Sequence, residues 1–144
     1  MTPVYLVGVD GSNCGGRALD YATECAKSNH GKVLVAHVIE WSQYSFSTAA
    51  ENEQRHKRRE EELARAQESV LDPVLACLRE AGVEAEGVVR HGHAAETLNR
   101  LAREHDASCI VIGRRGASRL KAQIFGSVAS NLVQIADRPV TVVP

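Results

Sequence analysis

Short apolar runs alternate along this chain with longer stretches in which apolar residues recur every three or four positions. The runs have the length and the β-branched residues of strands, whereas the stretches between them carry the single apolar stripe of an amphipathic helix. The pattern predicts five strands, within residues 4–9, 33–39, 83–90, 108–112 and 140–143. Such alternation is typical of an α/β fold, an open doubly wound parallel sheet with helices on both faces.

The predicted helices run from Asn13 to about His30, from Ala49 to Ala81, from Ala94 to His105 and from Ser127 to about Ala136. Gly31 follows the first helix at the position expected of a C-terminal glycine. Pro73 lies inside the second helix and lacks a backbone N–H, so we expect a kink or break just before it. Gly82 ends that helix.

The expected order of the five strands is 3-2-1-4-5. Open α/β sheets bind ligands at the carboxyl ends of their strands, where the strand order reverses. The crevice then lies between the first and fourth strands and brings Asp10 and Gly113 together, although they are far apart in the sequence. The last strand, residues 140–143, lies at the sheet edge, where an apolar strand is usually covered or paired.

Composition excludes several classes of function. The 144 residues suit one domain, residues 1–144. A net charge of −1 gives no field that attracts nucleic acid, and the apolar runs are far shorter than a bilayer span. The N-terminus MTPVYLVGVD lacks the segments of an export signal, so we expect a cytoplasmic protein. The four cysteines contain no CxxC pair, which suits reduced thiols and makes a zinc site improbable.

The stretch GRRGASRLKAQIFGSV, residues 113–128, carries the candidate chemistry. Two residues separate Gly113 from Gly116, nine separate Gly116 from Gly126, and Ser127 follows at the predicted helix start. Glycines let the backbone approach an anion, and a helix N-terminus offers unpaired N–H groups, so this arrangement suits a polyphosphate. The spacing is neither that of a Walker A loop nor that of GxGxxG.

The same spacing resembles the nucleotide loop of the universal stress protein family, in its ATP-binding branch. The opening VGVDGS, the HV pair at residues 37–38 and the closing strand before a terminal proline extend the resemblance to nearly the whole chain. It implies that the matching Asp10 meets the adenosine end of the nucleotide and that Val38 lies against adenine. The expected nucleotide-binding residues are Val9, Asp10, Ser12, Val38, Ile112, Gly113, Arg115, Gly116, Gly126, Ser127 and Val128. Simpler roles stay open: Asp10 or Ser12 could cap the following helix, and Val38 could be an ordinary core valine.

Cations in the loop leave the identity of the nucleotide open. The resemblance favours ATP, with or without Mg²⁺, and makes Arg115 the better candidate for a phosphate contact. Arg114 departs from the family pattern, which commonly has a hydroxyl residue there. A bulky cation at Arg114 could tighten the binding of a triphosphate, or it could favour AMP or cyclic AMP.

The sequence favours a binding protein over an enzyme. Phosphoryl transfer needs metal-holding carboxylates and a positioned base, and Asp10 is the one visible carboxylate of the predicted crevice. His91 and His93 flank Gly92, but no nearby spacing supplies further metal ligands. The resemblance implies a nucleotide-dependent regulator of the stress response, with slow ATP hydrolysis at most, and a protein partner that the sequence does not identify. It also implies a homodimer formed through residues Val140 to Val143. A slow ATPase and a nucleotide-free interaction protein are the alternatives.

Overall fold

A parallel five-stranded sheet forms the centre of the molecule in the order β3-β2-β1-β4-β5, which confirms the predicted topology. This computed structural model describes residues 2–10, 16–40, 49–114 and 126–144. The strands are β1 (Val4–Gly8), β2 (Lys32–Glu40), β3 (Ala85–Gly92), β4 (Cys109–Gly113) and β5 (Val140–Val143). The first four strands each differ by a residue or more from the predicted bounds, and β3 extends to Gly92, whereas β5 has the predicted bounds.

Helices cover both faces of the sheet. They are α1 (Arg17–Asn29), α2 (Ala49–Ala66), α3 (Asp72–Glu80), α4 (Ala94–Glu104) and α5 (Ser127–Ile135). Side chains of α1 and α3 pack with one face of the sheet in one hydrophobic cluster, and those of α4 and α5 pack with the other face in a second cluster. None of the helices in the described part of the chain is long and apolar enough to cross a membrane.

The central strands are buried on both faces, which explains their continuous apolar sequences. Leu6 and Val7 of β1 belong to opposite clusters, and both are fully buried. Val7 is the register partner of Val111 on β4. The strands are parallel, so β1 and β4 end side by side and the residues that follow them start from the same edge of the sheet.

The end of α1 differs from the prediction. His30, not Gly31, takes the left-handed conformation, with φ 52°. Gly31 is required for another reason: a Cβ atom there would lie 2.6 Å from the carbonyl oxygen of Pro3. That carbonyl accepts a hydrogen bond from the N–H of Lys32 at 2.9 Å. The close approach of the two segments at the start of β1 and β2 therefore excludes a side chain at residue 31.

The predicted irregularity before Pro73 is confirmed. A π-helical segment, Gln67–Leu71, separates α2 from α3, and Pro73 lies in the first turn of α3. The helical path continues through this boundary, because the N–H of Asp72 donates to the carbonyl oxygen of Gln67, five residues earlier. A proline, which has no N–H to donate, is thus accommodated by a local change of the hydrogen-bond pattern. Gly82 follows with φ +78°, as expected for a residue that ends a helix.

Candidate functional site

The carboxyl end of β1 is fixed to β2 by two hydrogen bonds. The N–H of Val9 donates to the carbonyl oxygen of Ala36 at 2.9 Å, and Nδ1 of His37 lies 2.8 Å from the carbonyl oxygen of Val9. For His37 to donate this bond, its proton must be on Nδ1. His37 is therefore more than a packed strand residue, because it holds the peptide that leads into the exposed Asp10.

The N-terminus of α5 lies at the same edge of the sheet. Gly126 is its N-cap residue, and the N–H of Gly126 donates to the carbonyl oxygen of Arg114 at 2.7 Å. Ser127 is the first residue of the helix, so it is not the cap, and it is exposed. The first turn of α5 contains no acidic residue. The positive end of the helix dipole is thus not neutralised by a carboxylate of its own first turn.

A cavity of about 510 Å³ opens between the N-termini of α4 and α5 and the end of β2. Its volume is in the range of small-molecule sites, and its walls combine apolar and polar side chains. The lining residues are Glu40, His93, Ala94, Ala95, Glu96, Ser127, Val128, Asn131, Gln134 and Ile135. Two helix N-termini thus face one concave space, which is an arrangement that suits an anion.

Among the polar residues of this cavity, the acidic Glu40 and Glu96 were missed by the sequence reasoning as ligand contacts. Glu40 is the last residue of β2, His93 is the N-cap of α4, and Glu96 lies in the first turn of α4. The position of Glu40 at the carboxyl end of a strand was the available signal. From the sequence, Glu96 is interpreted as a residue that complements the dipole of its own helix. It lines the cavity only because α4 packs beside α5.

The predicted binding residues fall into separate groups. Ser127 and Val128 line the cavity. Val38 and Ile112 pack, like Val128, into the cluster on the α4 and α5 face, whereas Val9 packs into the cluster on the opposite face. Gly113 is the last residue of β4, Gly126 caps α5, and Asp10 follows the end of β1. Ser12, Arg115 and Gly116 lie outside the described residues, as do Arg119 and Lys121.

Arg114 does not line this cavity. Its side chain lines a second cavity, of about 690 Å³, on the other side of α5 against β5. The backbone explains this placement, because the N–H of Arg114 donates to the carbonyl oxygen of Val143 at 2.7 Å and continues the pairing of β4 with β5. The idea that a cation at this position tightens the binding of a triphosphate is therefore not supported.

Gly92 has a structural explanation that needs no ligand. Its φ is +150°, and a Cβ atom there would lie 2.6 Å from Oγ1 of the buried Thr97. The neighbouring His91 contacts Glu62 of α2 through Nε2 at 3.1 Å. Within residues 2–10, 16–40, 49–114 and 126–144, no group of three or more His, Cys, Asp or Glu side chains could hold a metal ion.

Comparison with known proteins gives one consistent result. The sequence model described as "Universal stress protein family" matches residues 1–144. Universal stress protein YxiE of Bacillus subtilis is 30% identical over 147 residues, which cover 96% of this chain and 96% of YxiE. Universal stress protein Rv1996 of Mycobacterium tuberculosis is 27% identical, and the match covers 96% of this chain but 47% of Rv1996.

Solved structures share the fold. Universal stress protein UspA from Lactobacillus plantarum superposes with a TM-score of 0.83 at 22% identity, over 99% of this chain and 97% of that one. The universal stress protein from Archaeoglobus fulgidus in complex with dAMP gives a TM-score of 0.69 at 22% identity, over 100% and 98% of the two chains. A universal stress protein in complex with cAMP gives 0.68 at 24% identity, over 99% and 96%.

Proposed function

Because the chain belongs to the universal stress protein family, we propose that it binds an adenine nucleotide and acts as a nucleotide-dependent regulator. The phosphates lie in the cavity between the N-termini of α4 and α5, and the adenosine lies towards the carboxyl ends of β1 and β2. Binding changes the affinity of the protein for a partner protein. ATP is the favoured ligand, because the spacing of Gly113, Gly116 and Gly126 resembles that of the ATP-binding branch.

The observation that carries this proposal is the difference between the two helix N-termini in the cavity. The first turn of α4 contains Glu96, whereas that of α5 contains no acidic residue. A phosphate is attracted by the dipole and backbone N–H groups of α5, and it is repelled by a carboxylate at α4. The phosphates are therefore assigned to α5, beside Ser127 and Val128, which both line the cavity.

The adenosine end uses the strand ends. Val38 is half-buried and packs into the cluster on the same face of the sheet as Val128, so an adenine ring beside it would share this apolar surface. Asp10 is exposed two residues after the end of β1, where its carboxylate can accept hydrogen bonds from ribose or adenine. The contact of His37 with the Val9 carbonyl fixes the backbone that presents Asp10.

The structural relatives support an adenine nucleotide without deciding between its forms. One was solved in complex with dAMP and another in complex with cAMP. Glu40 and Glu96 line the same cavity as Ser127, so a triphosphate there would need a cation between its charges and these carboxylates. Oxygen ligands of this kind suit Mg²⁺, which is therefore proposed to accompany ATP.

A slow ATPase is the second candidate function. It is favoured by Glu40 and Glu96, which add two carboxylates to the one that the sequence suggested for the crevice. A carboxylate beside the phosphates could help to hold Mg²⁺ or position a water molecule. Release of inorganic phosphate above the rate without protein, abolished in a Glu40→Gln, Glu96→Gln variant, would support this candidate over a regulator without turnover.

We also propose that the protein is a homodimer that pairs through β5, in the cytoplasm. The carbonyl oxygens of Pro139 and Val143 accept hydrogen bonds from β4. In a parallel strand the intervening residues Val140 and Val142 then direct their main-chain groups outwards, where a second β5 can pair with them. No disulfide joins the described cysteines, Cys25, Cys77 and Cys109, which suits a reducing compartment.

Calorimetric titration of nucleotide-stripped protein tests the central proposal. ATP, AMP and cyclic AMP are titrated separately, with and without Mg²⁺, and GTP serves as a control for the base. We expect saturable binding of at least one adenine nucleotide and weaker binding of GTP. Absence of binding by all three adenine nucleotides to the folded protein would refute the proposal.

A further inference from the structure

The second cavity has the composition of a ligand site. It lies between the outer face of α5 and strand β5, and its volume of about 690 Å³ is within the usual range for small-molecule sites. Its apolar walls are formed by Ala129, Val133, Val140, Val142 and Pro144. Val133 is 57% exposed and leaves apolar surface at the opening.

Arg114 places a cationic donor in this apolar wall. Its Nε atom is buried and has no hydrogen-bond partner among the described residues. The backbone of Arg114 is fixed on both sides, because its N–H donates to Val143 and its carbonyl oxygen accepts from Gly126, each at 2.7 Å. Because Nε has no accessible surface, the terminal nitrogens of the guanidinium are the donors that a ligand in the cavity can reach.

The other polar groups of the cavity favour an anion of low charge. Ser130 and Gln134 also line it, and Nε2 of Gln134 donates to the Ser130 carbonyl oxygen at 2.9 Å. None of the described lining residues is acidic. A single guanidinium matches one negative charge, whereas a dianionic phosphate would leave one charge uncompensated beside apolar walls. A carboxylate can accept two parallel hydrogen bonds from the two terminal nitrogens of an arginine.

We propose that this cavity binds a medium-chain aliphatic monocarboxylate, with its carboxylate on Arg114 and its hydrocarbon tail against Val133, Val140 and Val142. The site is separate from the proposed nucleotide site, because α5 stands between the two cavities and, of the lining residues that the structure describes, Gln134 alone belongs to both. It is also separate from the pairing edge of β5. Pairing uses main-chain groups in the plane of the sheet, whereas the cavity lies against the face that α5 covers.

The test is calorimetric titration of the full chain with hexanoate, octanoate and decanoate below their micelle concentrations, with octanol as the probe that lacks the charge. Each added methylene should tighten binding about fourfold until the cavity is full. Octanol should bind at least about tenfold more weakly than octanoate, because it lacks the charge-assisted contact with Arg114.

Two variants and a control locate the site. Arg114→Leu should lose at least about tenfold in octanoate affinity with little effect on octanol. Val133→Trp should block both probes by filling the cavity while it keeps Arg114. Arg100→Leu removes an exposed arginine of α4 and should change neither affinity. Circular dichroism and light scattering report the fold and the oligomeric state of each variant.

Two results would overturn the proposal. The first is that no carboxylate binds to the folded protein, and the second is that Arg114→Leu binds octanoate as tightly as the parent. If the first result is accompanied by a changed oligomeric state of Arg114→Leu, a second copy of the chain occupies the cavity instead. None of these results depends on nucleotide binding, which the same preparations can be tested for separately.

Discussion

A carboxylate placed in the first turn of α5 should weaken nucleotide binding while it stabilises the protein. Ser127→Asp makes this change at the first residue of the helix, which is exposed and lines the cavity. Ser127→Asn is the matched control, because asparagine has nearly the same shape without the charge. The two variants differ only in the electrostatic interaction with a phosphate and with the helix dipole.

The magnitude follows from the distance between the charges. A side chain at the first helical position lies about 5 Å from an anion bound to the first-turn N–H groups. At this distance, and with an effective dielectric constant of about 20–40, one carboxylate charge and one phosphate charge repel each other by about 1.7–3.3 kcal/mol. Because Ser127 is exposed, salt screening favours the lower end, a loss of about 10- to 20-fold in affinity. The loss should grow with phosphate charge, from cyclic AMP through AMP to ATP. Lower ionic strength should increase it.

Stability should change in the opposite direction. An acidic residue in the first turn interacts favourably with the helix dipole, by about 0.3–1 kcal/mol. Urea unfolding should therefore show Ser127→Asp to be as stable as Ser127→Asn or more so, while calorimetry shows weaker ATP binding. Because Ser127→Asp is expected to be the more stable variant, weaker ATP binding by it cannot be attributed to misfolding. Equal ATP affinity of the two variants would refute the assignment of the phosphates to α5.

Three further changes test other parts of the structure. Val142→Pro removes an N–H that points away from β4, so this variant should be a monomer in light scattering and should keep its fold. Thr141→Pro is the control, because it removes an N–H that points towards β4 and should unfold the edge of the sheet. A Val142→Pro variant that remains a dimer would exclude pairing through β5. Gly31→Ala forces a Cβ against the Pro3 carbonyl and should lower the free energy of urea unfolding by about 1–3 kcal/mol; an unchanged value would show that the segments separate freely. His37→Phe removes the contact with the carbonyl oxygen of Val9 and should weaken nucleotide binding several-fold in calorimetry. Unchanged affinity would show that this contact does not position the site.

Features decided by local pattern were predictable from the sequence, whereas features decided by packing were not. The continuous apolar runs of β1 and β4 predicted buried central strands, and Pro73 predicted the break that the π-helical segment forms. Gly31 was misassigned because its requirement comes from Pro3, which is distant in the sequence. Glu40 and Glu96 were missed because they become neighbours only when α4 packs beside the end of β2.

Arg114 shows most clearly why residue type and loop position were insufficient. Positive charge beside a glycine loop suggested a phosphate contact, and nothing in the local sequence indicated another direction for the side chain. The direction follows from the pairing of β4 with β5, which ends with the hydrogen bond from Arg114 to Val143. Strand register therefore decides which of the two cavities receives the cation.

The backbone of Arg114 also connects the two proposed sites physically. Its carbonyl oxygen holds Gly126, the cap of α5, and its N–H holds Val143 at the end of β5. A nucleotide at the start of α5 and a carboxylate on the Arg114 side chain therefore act on the same peptide segment. If binding at one site shifts this segment, linkage requires each ligand to change the affinity for the other by the same factor. Titration of ATP with and without saturating decanoate, and of decanoate with and without ATP, measures both factors. Two equal factors different from one would establish that the two sites are coupled. Factors of one would show that neither ligand shifts this segment in a way that the other ligand senses.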